Sequence, residues 1–394
     1  MKNVLNILIA DKRTFLVVYL ILCVIVTFQA FNPSSPNDPN AKYHYVDYNN
    51  YVIFKQSHVH LVNDQDLYVY YQEEHDDLYK YTSTFAAFFG FFAALPNTIG
   101  LFAWNFLNVM FLVIGVYLLP KLSLKEKGFL LLLVTIELVT SIQNEQSNGL
   151  MVGQLLCAFG LLEKGKYQWA TFLIVFSVYI KLFSILGLIL FFFYPKKLKL
   201  ATYTGLWFIL FFMVPLLYIS VDQYVFLWKS YGNMLANDHS NSMGFSVMGI
   251  LNSWFGLDPS KLGLVSIGGI LLLLPFIKIK SYNDQRFRIL ALAFVLIWTV
   301  IFNHKAESPT FIIAMIGIVL WFMLGKKDAV SISVLIFAFV FTSLSSTDLF
   351  PPFVRENFIK PYAIKAVGSV LVWCLIFIEM MRYRPTFEDI SANN

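Results

Sequence analysis

Residues 14–31 read TFLVVYLILCVIVTFQAF, and soon after them comes HYVDYNN at 44–50. The first stretch is a run of hydrocarbon side chains long enough to cross a bilayer. The second lies in the longest polar interval of the chain, from about 32 to 81. A membrane span followed at once by acids, histidines and tyrosines puts ionisable groups at the water boundary. Outward from this junction the chain is nearly continuous hydrocarbon.

The composition agrees. Of 394 residues, 58% are hydrophobic and 13% charged, against about a quarter charged in a soluble domain. Helices satisfy their own backbone hydrogen bonds in lipid, whereas a transmembrane barrel would show short alternating segments. These runs do not alternate, so the expected fold is an all-α polytopic membrane protein, one integral domain over 1–394. A net charge of +5 is too modest to suggest nucleic acid. Cys23, Cys157 and Cys374 sit inside apolar spans, which suggests neither a disulfide framework nor a zinc site. The chain carries 40 Phe and 21 Tyr; Tyr and Trp near span ends serve as interface anchors.

Lys2, Lys12 and Arg13 precede the first span. No small-residue cleavage site follows it, so it reads as an uncleaved helix and not a secretory signal. After the polar interval comes TSTFAAFFGFFAAL, 82–95. At about 1.5 Å per residue it reaches roughly 21 Å, short of a core of about 30 Å. If it crossed, Lys121, Lys125 and Lys127 would lie outside, against the positive-inside rule. It therefore reads as re-entrant or interfacial. Later spans are expected near 101–119, 128–142, 149–162, 167–180, 182–194, 200–220, 261–277, 289–303, 310–324, 329–344 and 362–381. The joint at Lys181 is placed because one helix over 167–194 would reverse the charge bias downstream. The result is about 12 transmembrane helices with both termini cytoplasmic, and a polar segment at 221–260, including Asp238, His239 and Asn241, on the outer face.

Under this topology the polar residues converge outside. Asp47 follows span 1; Asn144 to Asn148 form a turn; Lys181 sits at the apex of a helix pair; His304, Lys305 and Glu307 join two spans. Ionisable groups at membrane depth are costly and face polar cavities. One acid, several amides and several cations at one level suggest a site for an anionic, hydroxyl-rich substrate. Each has a plainer reading as a loop acid, a snorkelling lysine or a capping turn. His58, His60 and His75 fit no metal-ligand spacing, and neither metal nor cofactor is expected. A transporter or flippase is the competing class; repeated halves, its usual mark, are not found.

At these residues the chain resembles glycosyltransferase family 87, membrane enzymes of GT-C fold. The resemblance rests on four stretches: YVDYNNYV with Asp66-Leu67-Tyr68; FAAFFGFFAALP leading to Trp104 and Asn108; Gln146-Ser147-Asn148-Gly149-Leu150; and Ile180-Lys181-Leu182-Phe183. Glu145 stands where the family usually has Gly, and Ser184 where it usually has Pro. The resemblance implies a polyprenyl-phosphate hexose, with mannose expected, as donor, and transfer outside the cytoplasm; a lipid or glycan acceptor is expected, direct displacement would invert the anomeric centre, and the short loops suggest a plasma membrane. It implies Asp47, in the outer catalytic loop 32–81, as base. Lys181, His304 and Lys305 are then expected to bind the donor phosphate, since cations stabilise the developing charge. Gln146, Asn148 and Glu307 are expected to orient sugar or acceptor.

Overall fold

The computed structural model describes residues 11–32, 43–237 and 243–385. Lys2, the opening part of the polar interval (33–42), and Asp238, His239 and Asn241 lie outside the described residues. Among the described residues every regular element is helical.

Helix α1 (Lys12–Ala30) is capped by Asp11, whose carboxylate accepts from the Arg13 N–H at 3.0 Å. One face turns inward: buried Tyr19 donates its hydroxyl to Leu131 O at 2.7 Å. The opposite face leaves Val17, Ile21, Val24 and Phe28 exposed, as a helix against lipid would. The polar interval then folds back as α2 (Asn49–Val62), which packs on the short α3 (Ser83–Ala93). Pro96 ends this unit and opens α4 (Asn97–Leu118), where a residue without an N–H is tolerated.

Helix α5 (Leu124–Gln143) begins at a reciprocal capping box between Ser123 and Glu126. A tight turn leads to α6 (Asn148–Glu163), almost every residue of which is buried. α4 and α6 pack in close contact. A Cβ on Gly153 would stand 2.4 Å from the backbone carbon of Phe111, and one on Gly160 2.7 Å from Leu118 O. Glycines at these positions let two backbones touch, as is usual where helices associate in lipid.

Helix α7 (Tyr167–Ile180) stops at Lys181, whose backbone is extended (φ −136, ψ 121), and a 3-10 segment, Leu182–Phe193, follows. The break expected at Lys181 is therefore present. Helix α8 (Lys197–Met213) continues through a Pro215 turn to Leu217. The polar segment at 221–260 contains two helices. α9 (Val221–Asn237) buries Tyr224, Leu227, Tyr231 and Met234, an amphipathic stripe, and α10 (Val247–Phe255) ends at left-handed Gly256. α11 (Lys261–Leu273), α12 (Gln285–Ile301), α13 (Phe311–Leu324), α14 (Ala329–Phe339) and α15 (Ile364–Arg382) complete the chain. α12 and α13 are apolar all round and lie at the centre.

Among the described residues, four helices are long and apolar enough to cross a membrane: α1, α4, Lys197–Leu217 and α15. Among the same residues, seven further apolar helices have 10–17 residues, a reach of about 15–26 Å at 1.5 Å per residue. The lengths thus establish a helical membrane protein without fixing a count of twelve.

Two buried ion pairs tie the bundle. At one end of α6, Arg288 Nε and Nη2 reach the two oxygens of Glu163 at 2.7 and 2.8 Å, and Tyr194 and Gln285 donate to the same carboxylate. Between α5 and α15, Lys365 Nζ meets Glu137 Oε1 at 2.8 Å with both side chains fully buried. The candidate site lies at the other end of α6.

Candidate functional site

The α5–α6 turn, Asn144 to Ser147, is the floor on which the site is built. Glu145 sits in the left-handed region at φ +47, where a side chain is strained and glycine is not. A glycine, expected here from the resemblance, would adopt this backbone without strain. The Glu145 carbonyl accepts from Trp104 Nε1 at 2.7 Å, and the Asn144 carbonyl from Asn50 Nδ2 at 3.0 Å. Trp104 belongs to an aromatic cluster with Phe54, Phe85 and Phe89. The polar turn is thus fixed to α2, α3 and α4 by apolar packing.

The Glu145 side chain is 2% exposed, and burial raises its carboxyl to about 9, with the nearby Asp47 charge acting in the same direction. It is neutral at pH 7. No group of three or more His, Cys, Asp or Glu is placed to hold a metal ion among the described residues.

Above this floor opens a cavity of about 290 Å³. Lys181 enters it from the break after α7. Its ammonium donates to Gln146 Oε1 at 3.0 Å and Asn148 Oδ1 at 2.9 Å, and lies 5.7 Å from the centre of the Tyr81 ring. Tyr81 also donates to Gln146 Oε1 at 3.3 Å, and Asn148 Nδ2 donates to Pro309 O at 3.0 Å. Burial lowers the Lys181 ammonium to about 8, while the Glu307 charge pulls it upward. Among the described residues no carboxylate lies within salt-bridge distance of it. Lys181 is half-buried; an ammonium partly withdrawn from water and held only by neutral oxygens is costly, and an anion entering the cavity would offset that cost.

Lys305, Glu307 and Gln146 line the same cavity, so the structure brings these predicted residues together with Lys181. It also adds residues that the sequence reading did not single out: Asp77, Lys80 and Tyr81 from the end of the polar interval, Asn303, and Tyr231 and Met234 from α9. Burial lowers the Lys305 ammonium, and the Lys80 charge lowers it further. Asp77 accepts from Lys80 at 3.1 Å. The signal for these residues was the DDLYKY run, 76–81, which is indistinguishable in sequence from the acids around it.

Two expected members stand apart. His304 is not among the residues lining the cavity; it is half-buried, and burial first and the Lys261 charge second lower its pKa. It adjoins Lys305 in the turn between α12 and α13. Asp47 is exposed and lines a neighbouring recess with Gln29, Asn32 and Gln143. Asp47 does not line the Lys181 cavity; Asn50, in the first turn of α2, does, and it also bonds the Asn144 carbonyl.

The model of glycosyltransferase family 87 matches residues 79–303, more than half of the chain. The match takes in the lining of the Lys181 cavity from Lys80 to Asn303 and ends just before Lys305. No curated protein matches.

Proposed function

The chain belongs to glycosyltransferase family 87, and from that premise we propose that this membrane glycosyltransferase moves a hexose, with mannose expected, from a polyprenyl-phosphate donor to an acceptor hydroxyl. The transfer takes place on the extracytoplasmic face of a plasma membrane, in a GT-C-like bundle whose termini are both cytoplasmic. The observation that carries the reading is Lys181: a half-buried ammonium, bonded to two amide oxygens and, among the described residues, to no carboxylate, facing a cavity of about 290 Å³. A phosphate is the anion such a donor suits.

In the proposed reaction the acceptor oxygen attacks the anomeric carbon from the face opposite the leaving group. The new C–O bond forms as the bond from that carbon to the phosphate oxygen breaks. The electron pair leaves with polyprenyl phosphate, and the configuration inverts. Lys181 and Lys305 stabilise the charge that accumulates on the phosphate. Gln146 and Asn148 hold Lys181 in place, and Glu307 faces the sugar.

The proton of the acceptor hydroxyl passes to a carboxylate. Asp47 is the proposed base. A base has to meet the acceptor and not the phosphate, and Asp47 lies beside the turn that bounds the donor cavity, near enough to Glu145 to raise its pKa. Asp77 offers a second assignment, because it lines the donor cavity itself. Asp47→Asn and Asp77→Asn, compared in reconstituted membranes, separate the two. Asp47 as base requires transfer to fall at least a thousandfold in the first variant and less than tenfold in the second. The reverse pattern moves the role to Asp77, and near-normal turnover in both removes it from either.

A further inference from the structure

A second cavity, of about 550 Å³, is lined in part by Gln143 and Asn144 at the start of the α5–α6 turn and shares no lining residue with the Lys181 cavity. It is lined by the ends of α5, the Ser308 turn and the segment between α14 and α15. Two π-helical turns, Val340–Leu344 and Arg355–Ile359, bracket that segment; such turns are frequent at functional sites.

Its lining is unlike lipid-facing surface. Five hydroxyl side chains and the amides of Gln143 and Asn144 face it. Two of its groups have buried polar atoms with no hydrogen-bond partner among the described residues: Ser308 Oγ and Arg355 Nε. Buried polar atoms are normally satisfied, so two unsatisfied ones on one wall point to a ligand that supplies the missing bonds. The charges cancel in pairs. Arg355 Nη1 meets Asp348 at 2.9 Å, and Lys360 Nζ meets Glu356 at 2.7 Å. A wall of paired charges and hydroxyls offers donors and acceptors in alternation with no net attraction for an anion. That is the complement of a neutral polyol. Phe245, also on the wall, presents an apolar ring for the carbon face of a sugar.

The cavity adjoins both parts of the proposed machinery. Gln143 lines it and the Asp47 recess alike. Ser308 lines it while the preceding residue, Glu307, lines the donor cavity.

We propose that this cavity is the acceptor subsite and takes a neutral, hydroxyl-rich glycan headgroup, placing one of its hydroxyls toward Asp47. This rests on the donor reading of the Lys181 cavity. The test uses the full chain in lipid nanodiscs and two probes: the methyl glycoside of a neutral mannobiose, and a fluorescent polyprenyl phosphate. Saturable binding of the disaccharide is expected in the wild type, weakened at least tenfold in both Ser308→Trp and Arg355→Gln, with lipid-phosphate binding retained within twofold. Lys181→Ala is expected to give the opposite pattern. The proposal is overturned if the wild type does not bind the disaccharide saturably, if both variants bind it as the wild type does, or if a methyl glucuronide binds more tightly than the neutral probe. If the disaccharide results hold but the wild type ignores the lipid phosphate, the donor reading fails and the polyol site stands.

Discussion

Lys181 is where the chemistry of the site is concentrated. Its ammonium titrates near 8 because burial penalises the charge. The protonated form holds an anion, so donor binding is full below that value and fades as pH rises through it. A phosphodiester does not titrate in this range, and the fall therefore belongs to the protein. We expect the donor KM to rise about tenfold per pH unit above 8, with the limb absent in Lys181→Arg, whose guanidinium stays charged. Initial rates between pH 6.5 and 9.5 check this.

Glu145 works in the other direction. Its folded carboxyl, raised to about 9, keeps a proton that the unfolded chain releases in the ordinary carboxylate range. Stability therefore declines as pH rises from that range toward 9. Glu145→Gln is expected to flatten the decline, and Glu145→Gly to relieve the left-handed backbone, a strain of about 1 kcal/mol. Thermal unfolding in detergent at several pH values reads both. Neither feature was legible in the sequence beyond the departure from glycine, since a left-handed turn and a neutral glutamate are properties of the fold.

At the scale of elements, apolar periodicity carried most of the reading. The break at Lys181, the stop at Pro96 and the α5–α6 turn all fall where charge, proline and amide clusters place them. Helix α9 was not separated from its polar surroundings, because its stripe of Tyr, Leu and Met is interleaved with exposed charge. Asp77 and Lys80 escaped for a related reason: only the fold of the coil after α2 returns them to the cavity.

The α4–α6 contact makes a sharper claim. Gly153→Ala would drive a Cβ into the Phe111 backbone, and overpacking of this kind costs about 1–3 kcal/mol. Gly205→Ala on α8 meets nothing within 4 Å and is the control. A lowered melting temperature in the first and an unchanged one in the second is the expected outcome. Equal melting temperatures would mean the two helices are not in contact.

Across the whole molecule the composition fixed the class, an all-helical membrane chain, while pairings between distant helices stayed hidden. Glu137 and Lys365 are 228 positions apart in sequence and 2.8 Å apart in space. Nothing in either neighbourhood announces the other. Removing one partner strands a buried charge at a cost of about 3–5 kcal/mol, whereas replacing both with apolar residues is often neutral. Glu137→Leu and Lys365→Met alone are expected to lose most folded protein in size-exclusion chromatography, and the double variant to recover it. A double variant as poor as the singles would contradict the pairing.

The account rests on a lipid-phosphate sugar as donor. The most direct measurement is label transfer by the purified, reconstituted chain from polyprenyl-phosphate mannose carrying a radiolabelled sugar, run beside nucleotide-linked mannose. The account expects labelled glycan to form from the lipid phosphate alone and to be lost in Lys181→Ala. Transfer from the nucleotide sugar, with the lipid phosphate inert, would contradict it.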